Sequence, residues 1–345
     1  MPDRRTLTVV QVGVGLWGTS WAELVVRARG FRLAGVVDAG AAARAWAKGL
    51  GTPVFRRLDQ ALRAVEPDVV LLVSPPLTHR PLAEASLAAG AHVVTEKPLA
   101  STLEDAAAIA AAARAHGRVA MVAQNYRFRR QSRALGALVR DGTLGPLRAI
   151  RIECRRDLRA AWISSEDWRG RMPHPYLLDM AVHHVDLVRS VTGQEIVEVD
   201  GRSWNVPDGP FRHDPSVSAL LTLGDGTPVA YHGTWAEALG RETSWNGDWE
   251  LVGSRGRATW TGGVQAALRG TVAVERDGRG RGRARLPALP ALDRLGVLEE
   301  ARRAIHAGDE PECSAEDNLR TLAAVLAVAR STEDRRSVRV GEFAA

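Results

Sequence analysis

Lysine is nearly missing from this chain. Lys and Arg together number 46, yet only Lys48 and Lys97 are lysines. Arginine holds its proton at any working pH, whereas a lysine pKa shifts readily on burial. A position that keeps lysine in such a composition is a candidate for proton chemistry, and Lys48, on an apparently exposed helix, is the comparison. Cysteine is scarce as well. Cys154 and Cys313 are too few for a stapled framework and suit a reducing, cytoplasmic setting. No uncharged apolar run approaches the ~20 residues that span a bilayer. The twin Arg4-Arg5 is followed by an apolar stretch that runs straight into Gly13–Gly18, which leaves no room for an export-signal cleavage site. The net charge of +6 comes from arginines spread along the chain. The two local clusters, at 127–133 and at 276–285 around Asp277-Gly278, carry no nucleic-acid recognition motif. The second reads as a solvated hairpin.

What is present is a strand–helix alternation over residues 6–122. Thr6–Val12 reads as a buried strand, Trp17–Arg29 as a helix and Arg32–Asp38 as a second strand. Further strands are expected at Val54-Phe55, Asp68–Val73, His92–Glu96 and Arg118–Val122. Helices are expected at Ala41–Leu50, Leu58–Ala64, Leu82–Ala89, and from Ser101 to Gly117, where Ser101 and Glu104 have capping-box spacing. Such alternation implies βαβ units and a parallel sheet. After residue 123 strands dominate, with helices at Arg133–Asp141, Leu177–Thr192, Asp293–His306 and Ala315–Ser331. The expected fold class is α/β: a Rossmann domain over 1–123, then an α+β domain over 124–345 with a large, mostly antiparallel open sheet.

Gly13-Val-Gly15-Leu16-Trp17-Gly18 follows a buried strand and opens a helix, and Asp38 lies twenty residues past Gly18 at the end of the second strand. That context, rather than the glycines alone, marks a dinucleotide site. Gly13 permits the tight turn, Gly15 admits the diphosphate, and Gly18 lets helix and strand pack closely. Asp38 would accept hydrogen bonds from the adenosine ribose and repel a 2′-phosphate. This favours NAD, with Arg44 keeping NADP as the alternative. Ser74-Pro75-Pro76 and Glu96-Lys97-Pro98 end two other strands at the carboxyl edge, where open α/β sheets place ligands. His79 either lines the nicotinamide side or caps its helix. Lys97 can hydrogen-bond a substrate oxygen or relay a proton.

In Asp179-Met-Ala-Val-His183-His184-Val-Asp186, α-helical spacing puts Asp179, His183 and Asp186 on one face. A His beside a carboxylate is a competent general base. His184 points elsewhere. His183 and Asp186 alone lack the further ligands of a metal site, so no metal is expected.

These elements together resemble the Gfo/Idh/MocA oxidoreductases. The likeness rests on the glycine fingerprint, Asp38, the Pro75…His79 loop, Glu96-Lys97-Pro98, Asn125-Tyr126-Arg127, Trp168-Arg-Gly170, the Asp179…His183…Asp186 helix and Trp249–Gly256, in that order. The resemblance implies hydride transfer between NAD(P) and a carbinol of a sugar or cyclitol. It implies His183 as proton acceptor, aided by Asp179 and Lys97, and self-association as a dimer or tetramer through the C-terminal sheet. On the substrate side it places Asn125 and Arg127 beside these three. Trp162 and Trp168 are candidate sugar-stacking faces, and Arg127, Arg155, Arg156 and Arg159 could receive an acidic group. Trp204, Trp235 and Trp260 read as sheet-interface or dimer-contact residues. Three positions depart from the family pattern: His174-Pro175-Tyr176 where a Gly pair is usual, Ala181 for Gly, and His184 for an apolar residue. Relatives that cleave glycosides through transient oxidation, and others that only sense cofactor, are the alternative functions.

Overall fold

The computed structural model describes residues 5–158, 168–206, 209–237, 240–262, 270–278 and 280–343. The chain divides into two units. One comprises the residues up to Asn125 together with Pro290–Leu319, and the other comprises Tyr126–Leu289 and the chain from Arg320 on.

In the first unit, β1 (Leu7–Val12), β2 (Phe31–Val37), β3 (Val54–Phe55), β4 (Val69–Leu72), β5 (His92–Thr95) and β6 (Ala120–Val122) form one sheet in the order β3-β2-β1-β4-β5-β6. All its pairings are parallel. Helices α1 (Leu16–Arg27), α2 (Ala41–Lys48), α3 (Leu58–Val65), α4 (His79–Ala88) and α5 (Leu103–Ala115) make the crossovers. Val10, Val36, Val70, Leu71, Leu72 and Val93 have no exposed surface. A parallel sheet covered on both faces needs such near-continuous apolar strands. The strand order reverses between β1 and β4, the switch point where this topology leaves a crevice at the carboxyl ends. The cap of α5 is one residue later than its sequence suggests: Thr102 Oγ1, not Ser101, accepts the Asp105 N–H at 3.1 Å.

The segment 290–319 was expected in the second domain but lies with the first unit. Its helix Asp293–Ala307 sets Arg294 Nη1 2.7 Å from Ser20 Oγ on α1. Beyond that helix, the Val122 N–H donates to Cys313 O at 2.8 Å.

The second unit is built on nine strands: β7 (Leu147–Arg155), β8 (Ile196–Trp204), β9 (Ser216–Leu223), β10 (Pro228–Thr234), β11 (Asp248–Gly253), β12 (Gly256–Thr261), β13 (Thr271–Arg276), β14 (Gly280–Arg283) and β15 (Val338–Arg339). Their order is β14-β13-β12-β11-β7-β10-β9-β8-β15, antiparallel except for the β7–β10 pair. Alternation decides the faces. Ile150, Ile152, Leu221, Val229 and Leu251 are buried, while Leu220, between Leu221 and Ala219, is half exposed. Against the sheet pack α6 (Arg130–Arg140), which meets β12 and β13, and α8 (Val182–Thr192), whose His184 reaches Tyr231 of β10; α7 (Trp168–Arg171) is a single turn. Gly233 has to be glycine, because a Cβ there would lie 2.1 Å from the Tyr176 ring.

The stretch expected as one helix from Leu177 is two conformations. Leu177–Ala181 is a π turn and regular α-helix starts at Val182. The wider π turn changes the angle between successive side chains, so the one-face argument for Asp179 and His183 fails as stated. Such turns recur at functional sites because they re-aim side chains.

Candidate active site

The glycine loop is built by close backbone packing. A Cβ at Gly13 would sit 2.3 Å from Val73 O, and one at Gly18 would sit 2.3 Å from Gly13 O. A Cβ at Gly15 would meet nothing within 4 Å. Packing within the chain therefore requires the first and third glycines, whereas the second leaves open space in front of α1. No side chain caps that helix, so its first N–H groups are left for a ligand. Leu16 and Trp17 beside them are exposed. These features fit a dinucleotide diphosphate.

Asp38 is held in place by the loop it serves. Its Oδ2 accepts the Val14 N–H at 2.9 Å and its Oδ1 accepts the Gly40 N–H at 2.7 Å. Arg44 turns its Nη1 onto the carbonyls of Asp38 and Ala39, at 3.0 and 2.6 Å.

The Glu96-Lys97-Pro98 loop is held from two sides. Trp21 Nε1 donates to Glu96 Oε1 at 2.6 Å, and the Lys97 N–H donates to Glu96 Oε2 at 3.2 Å. On the other side is His79, the first residue of α4. Its Nε2 lies 2.9 Å from Ser74 O, and its Nδ1 lies 3.1 and 3.2 Å from the Leu99 and Pro98 carbonyl oxygens. His79 has no exposed surface, and burial pushes its pKa down. It joins the two loops at the carboxyl edge rather than facing a ligand, which corrects the expected cofactor contact. Ser74 Oγ pairs with Thr78 Oγ1 at 2.7 Å, Pro75 is exposed, and Lys97 is half-buried after this anchored strand end. Lys48 is exposed on α2.

In the second unit His183 and Asp179 are buried. The His183 ring stacks on Tyr126, with centroids 4.2 Å apart and planes 7° apart. Asp179 Oδ2 accepts from Arg169 Nε at 3.2 Å, and the Arg169 guanidinium lies 4.2 Å from the Trp168 ring centroid. Trp168 thus reaches Asp179 through Arg169. His184 has no exposed surface. Its Nδ1 is 2.8 Å from Tyr231 Oη and its Nε2 is 3.1 Å from Trp245 O, and burial holds its pKa at about 4.

Arg127 is not placed to bind substrate. Its guanidinium forms two 2.6 Å hydrogen bonds to Asp186, and both residues are buried. Thr321 Oγ1 donates to the same carboxylate at 3.1 Å. Asp186 is thus held on both oxygens by a buried network. Arg155 and Arg156 are committed too, to Glu153 at 2.5 Å and to Glu242 at 3.3 Å. Asn125 Nδ2 donates to Asp293 Oδ1. Trp162 and Arg159 lie outside the described residues. Trp235, Trp249 and Trp260 are core residues at 1% exposure, whereas Trp204 lies on the outer sheet face against His232.

Residues 7–124 match the oxidoreductase family with the NAD-binding Rossmann fold, and residues 132–259 match the GFO/IDH/MocA C-terminal domain. The chain belongs to the Gfo/Idh/MocA family of oxidoreductases. Among its Gfo/Idh/MocA relatives is a 1,5-anhydro-D-fructose reductase of Ensifer adhaerens, 25% identical over 337 residues, covering 95% of this chain and 97% of the relative. Another is a myo-inositol 2-dehydrogenase of Thermotoga maritima, 29% identical over 287 residues, covering 80% of each chain. The crystal structure of an aldose-aldose oxidoreductase from Caulobacter crescentus superposes with a TM-score of 0.84 at 22% identity, over 97% of this chain and 100% of that one. This last likeness speaks for the fold. Membership makes the chain an NAD-dependent oxidoreductase. No helix among the described residues is long and apolar enough to cross a membrane.

The departures from the Gfo/Idh/MocA pattern now have structural counterparts. His174, at the usual Gly pair, keeps a left-handed backbone with φ of 45°, and its Nε2 lies 2.9 Å from Glu333 Oε1. Ala181 ends the π turn, fully buried. Tyr126, Arg129, Arg169 and Trp21 carry the site's geometry but were not singled out as site residues in the sequence. Tyr126 and Arg169 sit inside motifs quoted for the resemblance; Trp21 and Arg129 carry no sequence signal.

Proposed function

We propose that the chain oxidises or reduces a secondary carbinol of a neutral sugar, sugar derivative or cyclitol, with His183 as general acid/base. When bound, NAD supplies the acceptor or donor of the hydride. His183 takes the hydroxyl proton as the carbinol is oxidised and returns it in reduction. Asp179, paired with Arg169, contacts a substrate hydroxyl and orients His183. Lys97 donates a hydrogen bond to the reacting oxygen, and the anchoring of its loop through Glu96 and His79 fixes its direction.

The single observation that carries this proposal is the buried His183, stacked on Tyr126 at the start of the helix that follows the π turn holding Asp179, in a Gfo/Idh/MocA chain. Three of the four arginines expected to receive an acidic group support a neutral substrate. Arg127, Arg155 and Arg156 each face a carboxylate of the chain itself, so they offer no receptor for an acidic substrate. The relatives named for anhydrofructose and inositol act on neutral polyols.

NAD is the cofactor favoured over NADP, since the Asp38 carboxylate at the end of β2 would repel a 2′-phosphate. The outer face of the nine-stranded sheet, with Leu220 and Trp204 exposed, is proposed as the self-association surface. A reducing cytoplasm suits the two buried cysteines.

The test is net NADH formation by the full-length chain against a panel of neutral aldoses, anhydrosugars and inositols, with sugar acids as the contrast. Stoichiometric NADH from a neutral member supports the proposal. Turnover confined to sugar acids, or cleavage of a glycoside with no net NADH, overturns it.

A further inference from the structure

Tyr126 carries a group on each face. The Arg129 guanidinium carbon lies 3.4 Å from its ring centroid, and the His183 ring lies parallel at 4.2 Å. Two groups at those heights on one face would overlap, so they occupy opposite faces. Arg129 is buried, and Asn246, also buried, accepts a hydrogen bond from its Nη1. Asn246 is fixed in turn, because its carbonyl accepts the Trp249 indole N–H at 2.7 Å. The result is a fixed cation, an aromatic spacer and an imidazole in one column.

We propose that Tyr126 and Arg129 are positioning residues for His183: the ring sets the plane of the imidazole, and the guanidinium behind it disfavours the imidazolium. Stacking holds the imidazole at one tilt, which a general base needs to meet its proton. The guanidinium acts on charge. Among the described residues, Asp179 pairs with Arg169, and Asp186 pairs with Arg127. His184 is neutral, and its own pKa is lowered first by burial and then, in part, by Arg129. The phenols of Tyr176 and Tyr231 stay protonated because burial raises their pKa values. On α6, packed against α8, Arg130 is exposed and Arg133 lies over Phe128. Among the described residues, Arg129 is the charge stacked on Tyr126 in line with His183. A fixed cation there favours the neutral imidazole, the form a general base needs.

The proposal about catalysis rests on His183 being the base, whereas the column itself does not, and the experiment separates the two. Histidine Cε1-labelled full-length chain is titrated by NMR, with the His183 signal identified by its loss in His183→Gln. At a separation of roughly 7–8 Å in a buried setting, removing the charge should raise the His183 midpoint by about one pH unit. Arg129→Gln removes the charge, and Asn246→Asp neutralises it in place without altering the stack. Both are expected to show the rise, while Arg129→Lys keeps the wild-type midpoint. If Arg129→Gln fails to fold, Asn246→Asp decides. A wild-type midpoint in the charge-neutralised variants overturns the proposal, as does an equal rise in Arg129→Lys. In the oxidation direction the acid limb of kcat/KM should move up with the NMR midpoint. If the midpoint moves and the limb does not, the column stands and His183 is not the base.

Discussion

Trp21 donates its indole N–H to Glu96 Oε1 over 2.6 Å. That bond joins the helix behind the glycine loop to the residue preceding Lys97. The rings of Trp21 and Trp17 carry Arg294, from the 290–319 segment, at 5.2 and 5.9 Å. Trp21 has no exposed surface, so it acts on Glu96 and not on a ligand. Trp21→Phe keeps the packing and removes the donor. Loss of a hydrogen bond to a charged group costs about 1.5–3 kcal/mol of stability. If the bond aims the lysine loop, kcat falls about tenfold, equivalent to ~1.4 kcal/mol in the barrier, with NAD affinity little changed. Steady-state kinetics beside a thermal melt checks both, and unchanged kcat with a lowered Tm makes the bond structural only.

Arg127 and Asp186 form a buried pair, and breaking one side leaves an uncompensated charge. Arg127→Met is expected to cost about 3–5 kcal/mol of stability by chemical denaturation. The double variant Arg127→Met/Asp186→Leu should recover much of it. A raised KM with wild-type stability in Arg127→Met would instead return Arg127 to the substrate.

Asp38, proposed to meet the adenosine ribose, has both oxygens on backbone N–H groups. Asp38→Ser keeps an acceptor and removes the charge that repels a 2′-phosphate. The ratio of kcat/KM for NAD over NADP should drop by at least about tenfold, which is ~1.4 kcal/mol of discrimination. An unchanged ratio takes Asp38 out of that role.

Burial lowers the pKa of His184 from an ordinary 6.5 to about 4. His92 is moved in the same direction by burial and by Arg118. The folded pKa lies below the unfolded one, so the unfolded chain takes up the proton first as pH falls. Stability is therefore whole above about pH 6.5 and lost progressively toward pH 4, at about 1.4 kcal/mol per pH unit for a fully buried histidine such as His184. Denaturation across that range should show the fall, and His184→Gln should make it shallower. Equal slopes in the two proteins would mean that His184 is protonated in the fold.

The parts of the site that were readable in the sequence are local in the chain. Gly13, Gly15 and Gly18 carry their meaning in their spacing, and Lys97 stands out because a second lysine occurs only on an exposed helix. The alternating strands are legible because a doubly covered sheet makes β4 wholly apolar and leaves polar residues on β5 only at its ends, His92 and Thr95. What escaped was set by contacts far apart in sequence. The partner of Arg127 is 59 residues away and that of Arg129 is 117 residues away, so neither guanidinium could be told from a substrate ligand. The π turn at Leu177–Ala181 has no periodicity signature within five residues. The return of 290–319 to the first unit depends on bonds such as Arg294 to Ser20, across 274 residues.

The most direct measurement is the turnover of His183→Ala with the neutral polyol that wild type oxidises best, followed as NADH formation beside NAD binding. As the general base, His183 should account for a loss of ~10²-fold or more in kcat, with NAD affinity unchanged. Wild-type turnover in His183→Ala, with a bound and competent cofactor, would contradict its assignment as the base.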